Sequence, residues 1–168
     1  ANELVHSYPK PGTTNTWLVR KGFYVCRRCK ACKMSSNVSG VVSTMGQKIM
    51  ITKNLTCLSE YCVYVLVCPC GLIYVGSTIF AVKKRILEHR RAVVNNDSTY
   101  PVARHFAAYH ESKPEGLSFF AINRVDPMKR GGDRVGLLRK MESRHILKLG
   151  TKHPQGLNRD EELLVHLS

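Results

Sequence analysis

The segment 61–77, YCVYVLVCPCGLIYVGS, leaves the chain little freedom. Branched and aromatic residues crowd into two short runs, 61–68 and 72–77, and such side chains pack best on a pleated surface. Between the runs, CPCG supplies the Pro and Gly of a tight turn and bars a helix. The pattern predicts two antiparallel strands joined as a hairpin. A hairpin alone is marginal in water, so other elements must cover it. Segment 80–94 has helical periodicity, with Phe80, Ile86, Leu87 and Val93 or Val94 on its inward side. A second helix is expected over 101–110, with Pro101 in its first turn. Residues 117–125, LSFFAINRV, read as a third strand. A long helix follows over 132–150, with Asp133 as N-cap and Gly150 at its end. The order ββααβα predicts an α+β domain: a small three-stranded antiparallel sheet flanked by helices. A short acidic helix is expected after Asn158.

Before the hairpin the composition changes. Residues 1–22, with Pro9, Pro11 and Gly12, read as an extended linker. Residues 23–59 form a Cys-rich unit with a hairpin of its own around Gly46, and 60–168 the larger domain. The chain opens at Ala1 without Met, as a piece of a longer protein would, and its first residues lack the apolar stretch of a secretory signal.

Composition narrows the function classes. Of 168 residues, 43% are hydrophobic, which supports a buried core and argues against wholesale disorder. The longest apolar run is far too short to cross a bilayer, so a membrane partner is not expected. The formal net charge is +14, which makes a polyanion, and nucleic acid first among them, the expected partner. Cys26, Cys29 and Cys32 stand too close together for an ordinary disulfide framework, and metal-bound thiolates in a reducing compartment fit them better.

A set of chemistry-bearing residues lies in the second half. Tyr64 and Tyr74 fall on neighbouring strands. Arg85 and His89 are four apart and share a helix face. Glu142 sits on the apolar stripe Leu138–Glu142–Ile146–Leu149, where a carboxylate is costly to bury unless paired or bound to a cation. Asn158 follows the end of that helix. Phosphodiester cleavage needs such groups: a proton acceptor for water, a guanidinium for the phosphate charge, and a carboxylate-held metal at the leaving oxygen. One carboxylate implies one metal ion.

In this order, CVY (62–64), YVG (74–76), Arg85, His89, Glu142 and Asn158 resemble a GIY-YIG endonuclease over residues 61–160. Cys62 replaces the Gly of the first motif and Val63 its Ile, but the Tyr is kept. The phrases CPCGLIYVGST, RILEHR, PVARHF, RGGDRVGLL and HPQGLN are similar to the endonuclease region of Penelope-like retroelements, as is a Cys-rich segment upstream. The resemblance implies an enzyme that nicks target DNA in the nucleus to prime reverse transcription, joined to a reverse transcriptase domain in the same polypeptide. It implies Tyr64 as general base or part of a relay, Tyr74 positioning water or phosphate, Arg85 stabilising phosphate charge, His89 assisting proton transfer, Glu142 as sole protein ligand of one Mg²⁺ or Mn²⁺, and Asn158 as a brace. Whether Tyr64 or His89 takes the proton stays open, as does the oligomeric state.

The cysteines suggest two structural Zn²⁺ sites. Cys26, Cys29 and Cys32 supply three thiolates, and a tetrahedral ion needs a fourth ligand. Cys57, just before the hairpin, is the first choice, with Cys62 and His6 behind it. Cys68 and Cys70 in the turn, with His105 and His110, resemble the two-Cys, two-His site of Penelope-like nucleases. The two histidines lie about 140° apart around an ideal helix, so His110 has to sit at a frayed end.

Each residue also has a plainer role. Tyr64 and Tyr74 fit as strand aromatics, Arg85 and His89 within a solvated basic face with Lys83, Lys84, Arg90 and Arg91, and Glu142 beside Arg139 or Lys140. Asn158 fits as a helix N-cap. A non-catalytic, zinc-containing nucleic-acid-binding module is therefore the competing function. The same lysines and arginines, with Arg27, Arg28, Lys30, Lys33, Arg104 and the 130–134 segment, are the expected phosphate contacts.

Overall fold

The computed structural model describes residues 21–159 and the short strand Leu4–Val5. In chain order the strands are β1 (Leu4–Val5), β2 (Gly22–Tyr24), β3 (Gly40–Val42), β4 (Lys48–Met50), β5 (Asn54–Thr56), β6 (Cys62–Val67), β7 (Ile73–Thr78) and β8 (Ser118–Arg124). The helices are α1 (Val82–Val94), α2 (Pro101–Tyr109) and α3 (Arg134–Leu149), and a 3₁₀ turn spans Lys30–Met34. The class is α+β, with a three-stranded antiparallel sheet as its centre.

That sheet runs β7-β6-β8, with β6 in the middle. All six residues of β6 are buried, so both faces of the sheet are covered. Tyr64 pairs with Gly76 and Leu66 with Tyr74, which puts both tyrosines on one face; Val63 and Ser77 share the other. A bulge between Val63 and Tyr64 leaves Ile122 of β8 without a partner on β6. His89 of α1 meets the tyrosine face, and Glu142 of α3 meets Ser77 on the opposite face. The two helices therefore clamp the sheet from its two sides.

The Cys-rich segment builds two smaller sheets. β3 and β4 form the expected hairpin, and β1 adds a third antiparallel strand to it. Leu4–Val5 is thus sheet where an extended linker was expected. β2 and β5 pair in parallel, with Phe23 opposite Leu55. The hydrophobic core is continuous across residue 60. Phe23 meets Phe119 of β8 edge-on at 5.7 Å, and the Ser35 hydroxyl donates to the Phe119 carbonyl.

Several sequence expectations need correction. Helix α1 starts at Val82, so Phe80 lies outside it, 54% exposed, while of the pair 93/94 it is Val93 that is buried. Phe80 instead carries the Lys84 ammonium 4.4 Å above its ring. Arg134 is no free phosphate contact: its guanidinium donates to the Val125 carbonyl and stacks 3.5 Å from the centre of the Tyr61 ring. Asp133 does cap α3, accepting from the Gly136 N–H, and Gly150 closes it in the left-handed conformation. The remaining residues of 1–20 and the segment after Arg159, with the expected acidic helix and His6, lie outside the described residues. Among the described residues no helix is long and apolar enough to cross a membrane.

Candidate functional site

Tyr64 can sit on its strand because residue 76 has no side chain. A Cβ built at Gly76 would lie 2.5 Å from the Tyr64 hydroxyl oxygen, 2.6 Å from its Cζ, and 2.9 Å from the Tyr74 ring. Both phenols therefore lean over the Gly76 backbone. The Tyr64 hydroxyl is 2.7 Å from His89 Nε2. The imidazole meets three rings edge-on, Tyr64, Tyr74 and Tyr100, at 5.7, 5.5 and 5.3 Å between centroids.

Burial pushes the His89 pKa down from 6.5 to about 3, and the nearby Arg85 charge adds to the fall. The imidazole is therefore neutral at physiological pH. Burial works against the Arg85 charge too, but the Tyr64 phenol and the Glu88 carboxylate outweigh it and raise the guanidinium above its ordinary value. Arg85 Nη1 donates to Glu88 Oε2 at 2.9 Å. Its guanidinium also stands 5.4 Å from the Tyr100 ring centre.

Arg85 and Glu88 face a hollow of about 240 Å³ that Ser77, Thr78, Phe80 and Lys84 also line. Ser77 donates to Glu142 Oε2 at 2.6 Å, so the α3 carboxylate reaches the same end of β7 from the other face of the sheet. Asn158 acts on the strand itself. Its Oδ1 accepts from the Val75 N–H at 2.9 Å and from the Thr151 hydroxyl at 2.8 Å, and its Nδ2 donates to the Val75 carbonyl at 2.8 Å. β7 is an edge strand, and Asn158 gives its free edge a strand-like partner between Tyr74 and Gly76.

The structure thus brings Tyr64, Tyr74, Arg85 and His89 into one cluster, holds Glu142 on the opposite face of the sheet against Ser77, which lines the same hollow as Arg85, and sets Asn158 as a brace on the edge of β7. Sequence reasoning held Gly76 only as a letter of the YVG motif, without a role, and missed Ser77, Glu88 and Tyr100 as parts of the arrangement. Glu88, one turn from Arg85 within RILEHR, carried a usable signal in its spacing. Tyr100, just ahead of α2, carried none.

The two metal sets also assemble. Cys26, Cys29, Cys32 and Cys57 place their sulfurs within 4.8 Å of one another, and so do the ligand atoms of Cys68, Cys70, His105 and His110. All seven cysteines are free thiols. The Cys32 sulfur lies 3.5, 3.4 and 3.6 Å from those of Cys26, Cys29 and Cys57, too long for a disulfide. A Zn–S bond of about 2.3 Å in a tetrahedron gives sulfur edges of about 3.8 Å, so this cluster fits such an ion closely. Burial opposes ionisation of Cys32, but the Cys29 backbone and the neighbouring thiols outweigh it and bring the thiol down to about 6. Burial pushes the Cys68 thiol up to about 12.

In the second set Cys68 lies 3.0 Å from His110 Nε2 and 3.1 Å from Cys70, which lies 3.2 Å from His105 Nε2. His110 is the residue that ends α2, with φ −136° and ψ 23°, and leaving the helix removes the angular mismatch with His105. Both sets could hold a metal ion such as zinc.

Protein-family models, curated proteins and solved structures were all compared with the chain. None of the three gives a match. The functional reading therefore stands on the arrangement of these side chains.

Proposed function

We propose that the chain is a metal-dependent DNA endonuclease of the GIY-YIG type, the nicking domain of a Penelope-like retroelement that acts in the nucleus beside a reverse transcriptase domain of the same polypeptide. The observation that carries this reading is the Tyr64–His89–Arg85 cluster beside a hollow that Ser77, the hydrogen-bond partner of Glu142, also lines. Arg85 binds the scissile phosphate and spreads its growing negative charge over a planar fork. Neutral His89 shares a hydrogen bond with the Tyr64 hydroxyl beside the Arg85 guanidinium, and the pair serves as one relay for the proton of the attacking water. Tyr74 and Tyr100 hold the imidazole in place. The Ser77 hydroxyl lines the hollow and is hydrogen-bonded to the Glu142 carboxylate; as a hard oxygen donor Glu142 would hold one Mg²⁺ or Mn²⁺, whose chemistry is neutralisation of charge at the leaving oxygen.

A second reading has its own support. Tyr64 and His89 are each 1% exposed, as a core hydrogen-bonded pair would be, and this favours a non-catalytic zinc-containing nucleic-acid-binding module. Nicking of a supercoiled plasmid with Mg²⁺ or Mn²⁺ separates the two. The nuclease reading expects relaxed plasmid from the intact chain and none from Glu142→Ala, with DNA affinity retained. An intact chain that binds DNA and relaxes no plasmid with either metal supports the binding module.

A further inference from the structure

A second concavity, larger than the hollow at β7, is present among the described residues. It is a groove of about 560 Å³ on the other flank of α1. Leu87 and Arg90 line it, whereas Arg85 and Glu88 line the hollow. On an ideal helix these two pairs point about 160° apart, so the sites are back to back across α1.

Each wall of the groove hangs from one of the metal-ligand sets. One wall is the 3₁₀ turn, where Lys30 and Lys33 flank Cys32, with Met34 beside them. The other is the 114–118 loop. Gly116, at φ +80°, lies so close to the turn at Pro69 that a Cβ there would be 2.7 Å from Pro69 Cγ. Pro69 is the residue between the ligands Cys68 and Cys70. The groove is therefore built by two separate clusters that fix its sides.

Its chemistry is amphipathic. Met34, Leu87 and buried Leu117 supply apolar lining, while exposed Lys30, Lys33 and Arg90 stand around it against the single carboxylate of Glu115. From this charge complementarity and this shape we infer that the groove holds a single-stranded stretch of nucleic acid, with phosphates on the three cations and sugar and base edges on the aliphatic lining. The inference takes its ligand class from the nucleic-acid reading above. A concavity of this size admits a nucleotide or two, and its aliphatic lining can meet base edges only where the bases are unpaired, since a duplex would offer it backbone alone. No aromatic ring lines the groove, so affinity comes from phosphate neutralisation with little base preference.

The test is binding of a ten-nucleotide oligothymidylate to the full chain by fluorescence anisotropy across a salt series, without added Mg²⁺ or Mn²⁺. The variant Lys30→Gln/Lys33→Gln/Arg90→Gln should lose about tenfold or more in affinity, and its slope of log K against log salt should flatten by about 2. Lys30 and Lys33 adjoin metal ligands, so Arg90→Gln alone is the second variant; its slope should flatten by about 0.7. Lys48→Gln/Lys140→Gln removes two exposed charges that do not line the groove and should leave affinity within about twofold. Oligoadenylate should bind as oligothymidylate does.

Equal losses in the groove and control variants would overturn the proposal, as would an unchanged slope in Arg90→Gln. Decaglutamate binding as tightly, with the same dependence on Arg90, would also overturn it, in favour of an acidic peptide. Loss of oligonucleotide affinity in a chain that relaxes no plasmid would uphold the groove and sink the nuclease. Normal nicking with unaltered affinity in both groove variants would sink the groove alone.

Discussion

A methyl group at residue 76 has nowhere to go. The nearest atoms are the hydroxyl oxygen and Cζ of Tyr64 at 2.5 and 2.6 Å, both belonging to a ring packed on all sides. Gly76→Ala should therefore swing the phenol off His89 and cost about 1–3 kcal/mol, the range for overpacking a core. Urea denaturation reads the loss. A smaller loss from Gly76→Ala in a Tyr64→Leu background than in the parent would assign the clash to that ring. His89 makes a different prediction. Its folded pKa of about 3 lies below the ordinary 6.5, so between those values the unfolded chain takes up a proton that the folded chain refuses. The contribution is full above pH 6.5 and is lost as pH falls toward 3, with a slope of about 1.4 kcal/mol per pH unit. His145, buried and lowered to about 4, adds a second term of the same sign. In His89→Gln the unfolding free energy should fall less steeply between about pH 6 and pH 4.5, by up to that slope. Equal slopes in parent and variant would show that His89 titrates normally.

At the scale of elements, the edge of β7 is the weak point, and Asn158 closes it. Three hydrogen bonds from one fully buried amide hold Val75 and Thr151. Asn158→Ala strands buried backbone donors and acceptors, each worth about 1–3 kcal/mol when left unpaired. A loss of about 3 kcal/mol is expected, with the Val75 amide exchanging faster than its neighbours on β6. Hydrogen exchange at Val75 measures it, and unchanged protection there would show that the edge is held by other contacts. What the sequence could announce follows from how local each signal is. The β6–β7 hairpin was legible because its continuous branched and aromatic runs and its turn lie within one short stretch. The caps of α3 were legible for the same reason, since Asp133 and Gly150 act on adjacent turns. The parallel pair β2–β5 was not: each strand has three residues, too few for a period, and paired residues are 32 positions apart. Phe23 reads as the start of a Cys-rich stretch, but its partner is Phe119 from the far end of the domain. Within the candidate site, tyrosine, arginine, histidine and glutamate stood out by side-chain chemistry. Gly76 stood in the YVG motif, but its close approach to the Tyr64 ring is visible only once the strands pair, and Tyr100 acts from a distant element that no local pattern reports.

For the whole molecule, the question is why a Cys-rich segment is joined to this sheet. The carbonyls of Cys57 and Ser59 accept from Lys83 N and Val82 N, the first amides of α1, at 2.9 and 3.0 Å. The Cys57 ligand and the start of the helix that carries Arg85 and His89 are thus one structural unit. The opposite end of the sheet is held by Cys68 and Cys70 at the hairpin turn, bridged to α2. A structural zinc site in a small unit contributes about 10–16 kcal/mol of apparent binding free energy, far more than any single hydrogen bond here, so loss of one ligand should be felt at the helix. Metal analysis of the purified chain should find two zinc ions per chain. Cys57→Ser should bring the ratio to one and lower the thermal midpoint, and the Lys83 amide should lose protection from hydrogen exchange. His110→Ala should also bring the ratio to one, but leave the Lys83 amide protected and loosen the turn at Cys68 instead. Two ions retained in Cys57→Ser would place the fourth ligand elsewhere and uncouple the Cys-rich segment from α1.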